Sequence, residues 1–201
     1  NRQKVRVLVG EEEDISSLKD LPVEIFHGEV FNKDSLKEFF NVPEPRESIC
    51  IHADELVEIS GKKNLEMRRV NVTGTQNIVN MCLSRKIKRL VYLGSAYALP
   101  ADYDDEDAKT IHFDRTKVEG DYAQSKAEAC AYIMEKVSMN KMNAVIILPT
   151  FIIGPGCDVN SDIGKVLKGF LDNNVAPVNG GHSFVDVRDV SNITLTVAEK
   201  G

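Results

Sequence analysis

The chain has 201 residues, enough for one domain with a full core or a domain with a small appendage. Hydrophobic residues make up 42% and charged residues 28%, ordinary values for a soluble globular protein. The net charge is −6 with no dense Lys/Arg stripe, which argues against a nucleic-acid binder, and no apolar run approaches the roughly 20 residues that cross a bilayer.

In chain order, KVRVLV at 4–9 is a β-branched run and predicts a buried strand. VEIFHGEV at 23–30 predicts a second strand, and DSLKEFF at 34–40, with its Asp cap, a helix. SICIHAD at 48–54 reads as a third strand. The segment 65–86 has the pattern of a long amphipathic helix whose Thr73, Gly74 and Thr75 allow close packing. IKRLVYLGS at 87–95 is a fourth strand ending at Gly94 and Ser95, 121–140 a second long helix, and NAVIILPT at 143–150 a fifth strand. A helix is expected over 162–174, then a short strand followed by a helix over 182–201. The acidic run ADYDDEDA at 101–108 reads as a solvated loop. VDVRDV at 185–190 places Asp186, Arg188 and Asp189 in either a structural or a substrate-edge network. Cys50, Cys82, Cys130 and Cys157 are far apart and form no CxxC, so they are expected to be reduced thiols in a cytoplasmic protein, with no metal site. The opening residues lead straight into a strand, so no signal peptide is expected.

Apolar strands alternating with helices predict an α/β fold with a parallel sheet covered on both faces. In such sheets ligands bind at the carboxyl ends of the strands. Those ends carry Gly10, His27–Glu29, His52–Asp54, Gly94–Ser95 and Pro149–Thr150, several of them polar or small.

GDYAQSKAEA at 120–129 holds Tyr122 and Lys126 four apart, on one helix face. An ammonium beside a phenol favours the phenolate and lowers a pKa that starts near ~10. Such a phenol exchanges a proton with an alcohol oxygen near neutral pH. Ser95, at a strand end, is suited to hydrogen-bond the same oxygen. An isolated YxxxK has a plainer meaning, a tyrosine packed at a helix start and a solvated lysine.

The ordered set NVTGTQNIVNMCLSRKIKRLVYLGSAYAL, DYAQSKAEA, ILPTFIIGPG and FVDVRDV resembles the extended short-chain dehydrogenase/reductase superfamily, the NAD-dependent epimerase/dehydratases. VRVLV…DISSL, DIGKVLKGFL and FVDVRDVSNITLTVAEKG most resemble its dihydroflavonol-reductase-like branch. The resemblance covers nearly the whole chain. It implies a Rossmann-like, doubly wound parallel sheet, with a dinucleotide-binding region over 1–150, the start of a substrate-binding region over 151–201, and 182–201 packing back on the core. It implies NAD or NADP as cofactor and a small-molecule substrate whose carbinol or ketone carbon exchanges hydride with the nicotinamide. Tyr122 would be the general acid/base, Lys126 would lower its pKa and hold the nicotinamide ribose, and Ser95 would bind the reacting oxygen. Glu29 and Val30 would lie against the adenine, Glu29 standing where Asp is usual. His52 and Ala53 would line the cofactor, with Asp54 in place of a small residue. Pro149, Thr150 and Phe151 would lie beside the nicotinamide. Relatives often form a homodimer through two long helices like 65–86 and 121–140.

Two departures from the family pattern matter. The Gly-rich turn that cradles a pyrophosphate at a helix N-terminus is missing. The first strand is missing with it, so the chain resembles the middle of a longer enzyme, and the 201 residues alone are expected to bind cofactor weakly. The second departure is charge. The strand at 4–9 runs into Gly10 and then Glu11, Glu12, Glu13 and Asp14, which repel a 2′-phosphate and tilt the choice towards NAD. The alternative to an enzyme is a non-catalytic dinucleotide-binding sensor, or an inactive fragment of such an enzyme.

Overall fold

A computed structural model describes residues 4–58, 63–103, 111–172 and 181–200. Of the acidic run, residues 104–108 lie outside the described residues, as do 173 and 174 of the expected helix at 162–174.

The strands and helices alternate. β1 (Val5–Val9), β2 (Val23–His27) and a short α1 (Leu36–Phe39) come first. β3 (Ile49–His52) follows, then α2 (Leu65–Arg68), a π-helical turn (Arg69–Gly74) and α3 (Thr75–Arg85). β4 (Arg89–Leu93), a 3-10 turn (Ala96–Ala98), α4 (Asp121–Asn140) and β5 (Ala144–Ile147) complete the central part. β6 (Phe151–Ile153), α5 (Asp162–Leu171), β7 (Phe184–Asp186) and α6 (Val187–Lys200) close the chain.

Every strand pair is parallel, which makes this a Rossmann-like α/β fold. The single sheet expected from the strand pattern is divided into three ladders, β1–β2, β3–β4–β5 and β6–β7. β4 is the middle strand of its ladder, and Arg89, Leu90, Val91 and Tyr92 are all buried. β1 and β3 each pair on one side only among the described residues, and Val5 and Ile51 are half exposed.

The expected fifth strand, 143–150, ends early, and a further strand lies just beyond its expected end. Pro149 has no N–H to give to a ladder, so β5 stops at Ile147 and the chain restarts as β6, whose Phe151 amide donates to the Ser183 carbonyl at 3.3 Å. The second strand ends at His27, short of the expected 30. Gly28 follows it because a Cβ there would lie 2.9 Å from Ser35 Cβ.

The core is Leu36, Phe40, Ile78, Val79, Cys82, Leu90, Tyr92, Ala127, Cys130 and Ile133, with partly buried apolar residues around them. α4 lies close on this core because its inner face is small: Ala123, Ser125, Ala127 and Ala129 are all buried. α6 is tied to β4 by Arg89, whose guanidinium donates to the Val197 and Ala198 carbonyls at 3.0 and 2.7 Å. Such bonds satisfy carbonyls left open at a helix C-terminus.

Candidate active site

Gly120, with φ of 88°, turns the chain into α4, and Asp121 in the first turn favours the helix dipole. One turn on, Lys126 is 1% exposed. Its Nζ donates to the Leu93 carbonyl at 3.1 Å and lies 5.0 Å from the centre of the Tyr92 ring. The solvated lysine of the plainer reading is therefore excluded. The ammonium is aimed inward, at the carboxyl end of β4.

Ser95 sits where β4 ends. It is 7% exposed, caps the 3-10 turn through a 3.3 Å bond from the Tyr97 amide, and its hydroxyl is within hydrogen-bonding reach of Tyr122. Ser95, Tyr122 and Lys126 thus converge on one strand end.

A fourth group joins them. Glu55 Oε2 accepts from the Tyr122 hydroxyl at 3.0 Å and pairs with Lys126 Nζ at 2.8 Å. This reverses the expected tuning of the phenol. Burial pushes the Tyr122 hydroxyl well above the ordinary tyrosine range, and the Glu55 charge adds to the shift. Lys126 and Ser95 pull downward, as the sequence reading assumed, but do not win. Glu55 lies one residue beyond the strand-end group His52–Asp54, and no residue pattern distinguishes it.

Asn71, 1% exposed in the π-helical turn, holds the residue next to Glu55. Its Oδ1 accepts from the Leu56 amide at 2.8 Å, and its Nδ2 donates to the Leu56 carbonyl at 2.9 Å and to Ser125 Oγ at 3.1 Å. A π turn often marks a functional site. The sequence did carry a signal here, an asparagine inside a helical run, where its propensity is poor.

The other predicted residues are distributed as follows. The His52 ring is buried beneath α3, with Nε2 3.0 Å from Thr75 Oγ1 and the ring tilted against Tyr92. Thr75 gives its own proton to the Asn71 carbonyl, so His52 Nε2 is the donor. Burial, with the Lys126 charge behind it, lowers the His52 pKa to about 3. Ala53 is exposed at the same strand end. The Val30 side chain is buried against α3: a Cβ on Gly74 would meet Val30 Cγ2 at 2.5 Å, and Asn77 donates to the Val30 carbonyl at 3.0 Å. Glu29 follows β2 and approaches Gly10, whose amide donates to Glu13 at 3.0 Å. Asp54 is raised above the usual carboxylate range, first by burial and then by Glu13, Glu29 and Glu55. The carboxylates from the three strand ends therefore face one another.

The Pro149 carbonyl accepts from the Ala96 amide at 2.9 Å, and Thr150 is exposed. Phe151 belongs to an aromatic row that starts at Tyr122. Tyr122 meets Tyr97 edge to face at 6.3 Å, Tyr97 meets Phe151 at 5.6 Å, and Phe151 meets His182 and Phe184. Asp186 and Arg188 form a local pair at the start of α6, with Asp186 accepting from both the Arg188 amide and its guanidinium. A cavity of about 320 Å³ lies elsewhere, lined by Arg46, Lys86, Lys88 and Lys141 at the C-termini of α3 and α4, and it includes none of these site groups. Among the described residues no group of His, Cys, Asp and Glu is arranged to hold a metal ion.

The sequence matches the NAD dependent epimerase/dehydratase family over residues 1–201. The chain belongs to this family. It is 26% identical over 203 residues to sterol demethylase protein B of Methylococcus capsulatus, covering 99% of this chain and 60% of that protein. It is also 26% identical over 200 residues to a Synechocystis protein provisionally named dihydroflavonol 4-reductase, covering 98% of this chain and 57% of that one. Among solved structures, the UDP-glucose 4-epimerase of Thermus thermophilus in complex with NAD has the same fold, with a TM-score of 0.75 at 19% identity, over 96% of this chain and 66% of the other. This family member therefore spans about 60% of the length of the curated relatives it matches. Among its described residues no helix is long and apolar enough to cross a membrane.

Proposed function

We propose that this chain carries the reacting end of an NAD(P)-dependent oxidoreductase of the extended short-chain type, which moves hydride between a nicotinamide and a carbinol or ketone carbon of a small substrate. The observation that carries this reading is the Lys126 ammonium, buried at the same strand end as the Tyr122 and Ser95 hydroxyls. An ammonium in so dry a place needs a function or a strong partner to offset its desolvation.

The donor set fits the nicotinamide end of a dinucleotide. A buried ammonium and a phenol suit ribose hydroxyls, and Pro149, Thr150 and Phe151 border the same strand ends. Glu29, Val30, His52 and Ala53 complete the cofactor side in this reading. The facing carboxylates of Glu13, Glu29 and Asp54 suit a free ribose hydroxyl and oppose a 2′-phosphate, so NAD is favoured over NADP. When bound, the nicotinamide supplies the hydride acceptor or donor. Tyr122 passes a proton to or from the substrate oxygen, Ser95 holds that oxygen, and Lys126 supports charge on the phenol. Residues 1–150 serve the dinucleotide and 151–201 begin the substrate region, where Tyr97, Phe151 and Phe184 form one wall. A cytoplasmic location and a homodimer through α2–α3 and α4 belong to the same reading.

The test is calorimetry with NAD and NADP, followed by turnover of Tyr122→Phe in the whole protein. The variant should keep NAD binding and lose roughly 10²–10⁴-fold in rate, the usual worth of a positioned acid/base. An unchanged rate removes Tyr122 from the role. A second reading, a non-catalytic dinucleotide sensor, is favoured by the raised Tyr122 pKa. It predicts NAD binding without turnover in the parent protein.

A further inference from the structure

The Tyr122 phenol and the Lys126 ammonium are bound by one oxygen of one carboxylate. Two features make this a built contact. The backbone next to Glu55 is clamped from both sides by the buried Asn71 amide, and Asn71 is linked through Ser125 to the Tyr122 carbonyl, to which Ser125 Oγ donates at 2.7 Å. The root of the Glu55 side chain is thereby fixed relative to the first turn of α4. The carboxylate itself is not enclosed, since its side chain is 33% exposed. The root is fixed, and the side chain has solvent beside it into which it could turn.

We propose that Glu55 is a positioning residue that acts as an internal competitor: its carboxylate takes the hydrogen-bonding capacity of Tyr122 Oη and Lys126 Nζ, and a ligand hydroxyl reaches those two groups only as Glu55 turns out into solvent. This rests on the proposed function for the identity of the ligand, but not for the contact itself. With Glu55 in place, the phenol donates its proton to a carboxylate and not to a substrate oxygen, and the ammonium is neutralised. The polar groups around this cluster include Asp54, Ser95, Tyr92 and His52, with Glu13 and Glu29 behind Asp54. Repulsion from Asp54 lowers the cost of moving the Glu55 carboxylate away.

Glu55→Gln removes the charge and keeps the shape. Tyr122 ionisation is followed by ring-labelled tyrosine NMR, with the Tyr122→Phe counterpart assigning the signal. The expected result is a titration midpoint at least about one unit lower in E55Q than in the parent, because a phenolate no longer meets a carboxylate. An unchanged midpoint overturns the proposal. NAD titrated by calorimetry into parent and E55Q should bind about tenfold more tightly to the variant, and equal affinities overturn the competitor role. Failure of NAD to bind either protein is a failure of the functional reading, and the tyrosine titration then decides the proposal alone. Loss of Glu55 leaves Lys126 buried without a carboxylate, so the tyrosine titration, which needs no NAD, is repeated in Lys126→Met with and without E55Q, where that cost is absent.

Discussion

The ladder around β4 and the ladder of β1 and β2 are both built from mainly apolar strands, yet they differ in what surrounds them. β4 is paired on both edges and covered on both faces, so Leu90 and Val91 have no exposed surface. In β1 only Val9 is fully buried, and one edge is unpaired among the described residues. The difference shows how the site divides its labour. Ser95 lies just past the end of β4, and Tyr122 and Lys126 stand on α4, whose Lys126 is tied to the Leu93 carbonyl of that well-packed ladder. Glu13 and Glu29 come from the ends of the thin ladder, where acidic side chains remain partly solvated. Gly74 and Val30 are the seam between the two.

Four changes break or sharpen this contrast. The largest effect of any substitution is expected from Leu90→Ala, which empties fully buried space between two ladder partners and should lower unfolding stability by about 3 kcal/mol in denaturant melts. Acid acts by a separate route, and its effect summed over the whole pH window is larger than that of any one substitution. The folded His52 takes a proton only below about 3, whereas an unfolded histidine does so near 6.5. The unfolded chain then binds more protons throughout that window. Stability is complete above about 6.5 and falls towards pH 3 by about 1.4 kcal/mol per unit. His52→Asn should flatten this slope, and a slope equal to the parent's would show that His52 is hydrated in the fold. Gly74→Ala places a methyl 2.5 Å from Val30 Cγ2 and should cost about 2 kcal/mol by forcing the seam apart. A neutral result would mean that the thin ladder yields freely. The smallest effect is Val7→Ala in β1, about 1 kcal/mol, because that side chain already meets water. If it matched Leu90→Ala, the contrast between the ladders would be wrong.

Parts of this architecture were legible from the residues. The helix expected over 121–140 occupies Asp121–Asn140, because a flexible Gly120 precedes it, its small residues repeat on one face, and Lys141 turns left-handed to end it. The first strand is offset from expectation by a single residue. The i, i+4 spacing put Tyr122 and Lys126 on one helix face, but the grouping of Ser95 with them was expected chiefly from the resemblance to the family, since an isolated YxxxK has a plainer meaning. The aromatic row and β6 were not legible, since FII after Pro149 and Thr150 is too short a run to stand out as a strand of its own. The burial of His52 was also hidden, because a residue at a strand terminus points inward or outward according to the pleat.

What the amino-acid order settled by itself was the place of most strands and helices, and that apolar strands alternating with helices form parallel ladders. Local spacing dictates these, and a 3.6- or 2-residue repeat is visible without neighbours. The tertiary structure alone decided which strands share a ladder, that the lysine of the pair is dry, and that a glutamate 67 positions before Tyr122 holds its proton. Those outcomes depend on burial and on charges brought together across the chain. Burial overturned the expected shift of the phenol because desolvation opposes ionisation more strongly than one neighbouring ammonium favours it.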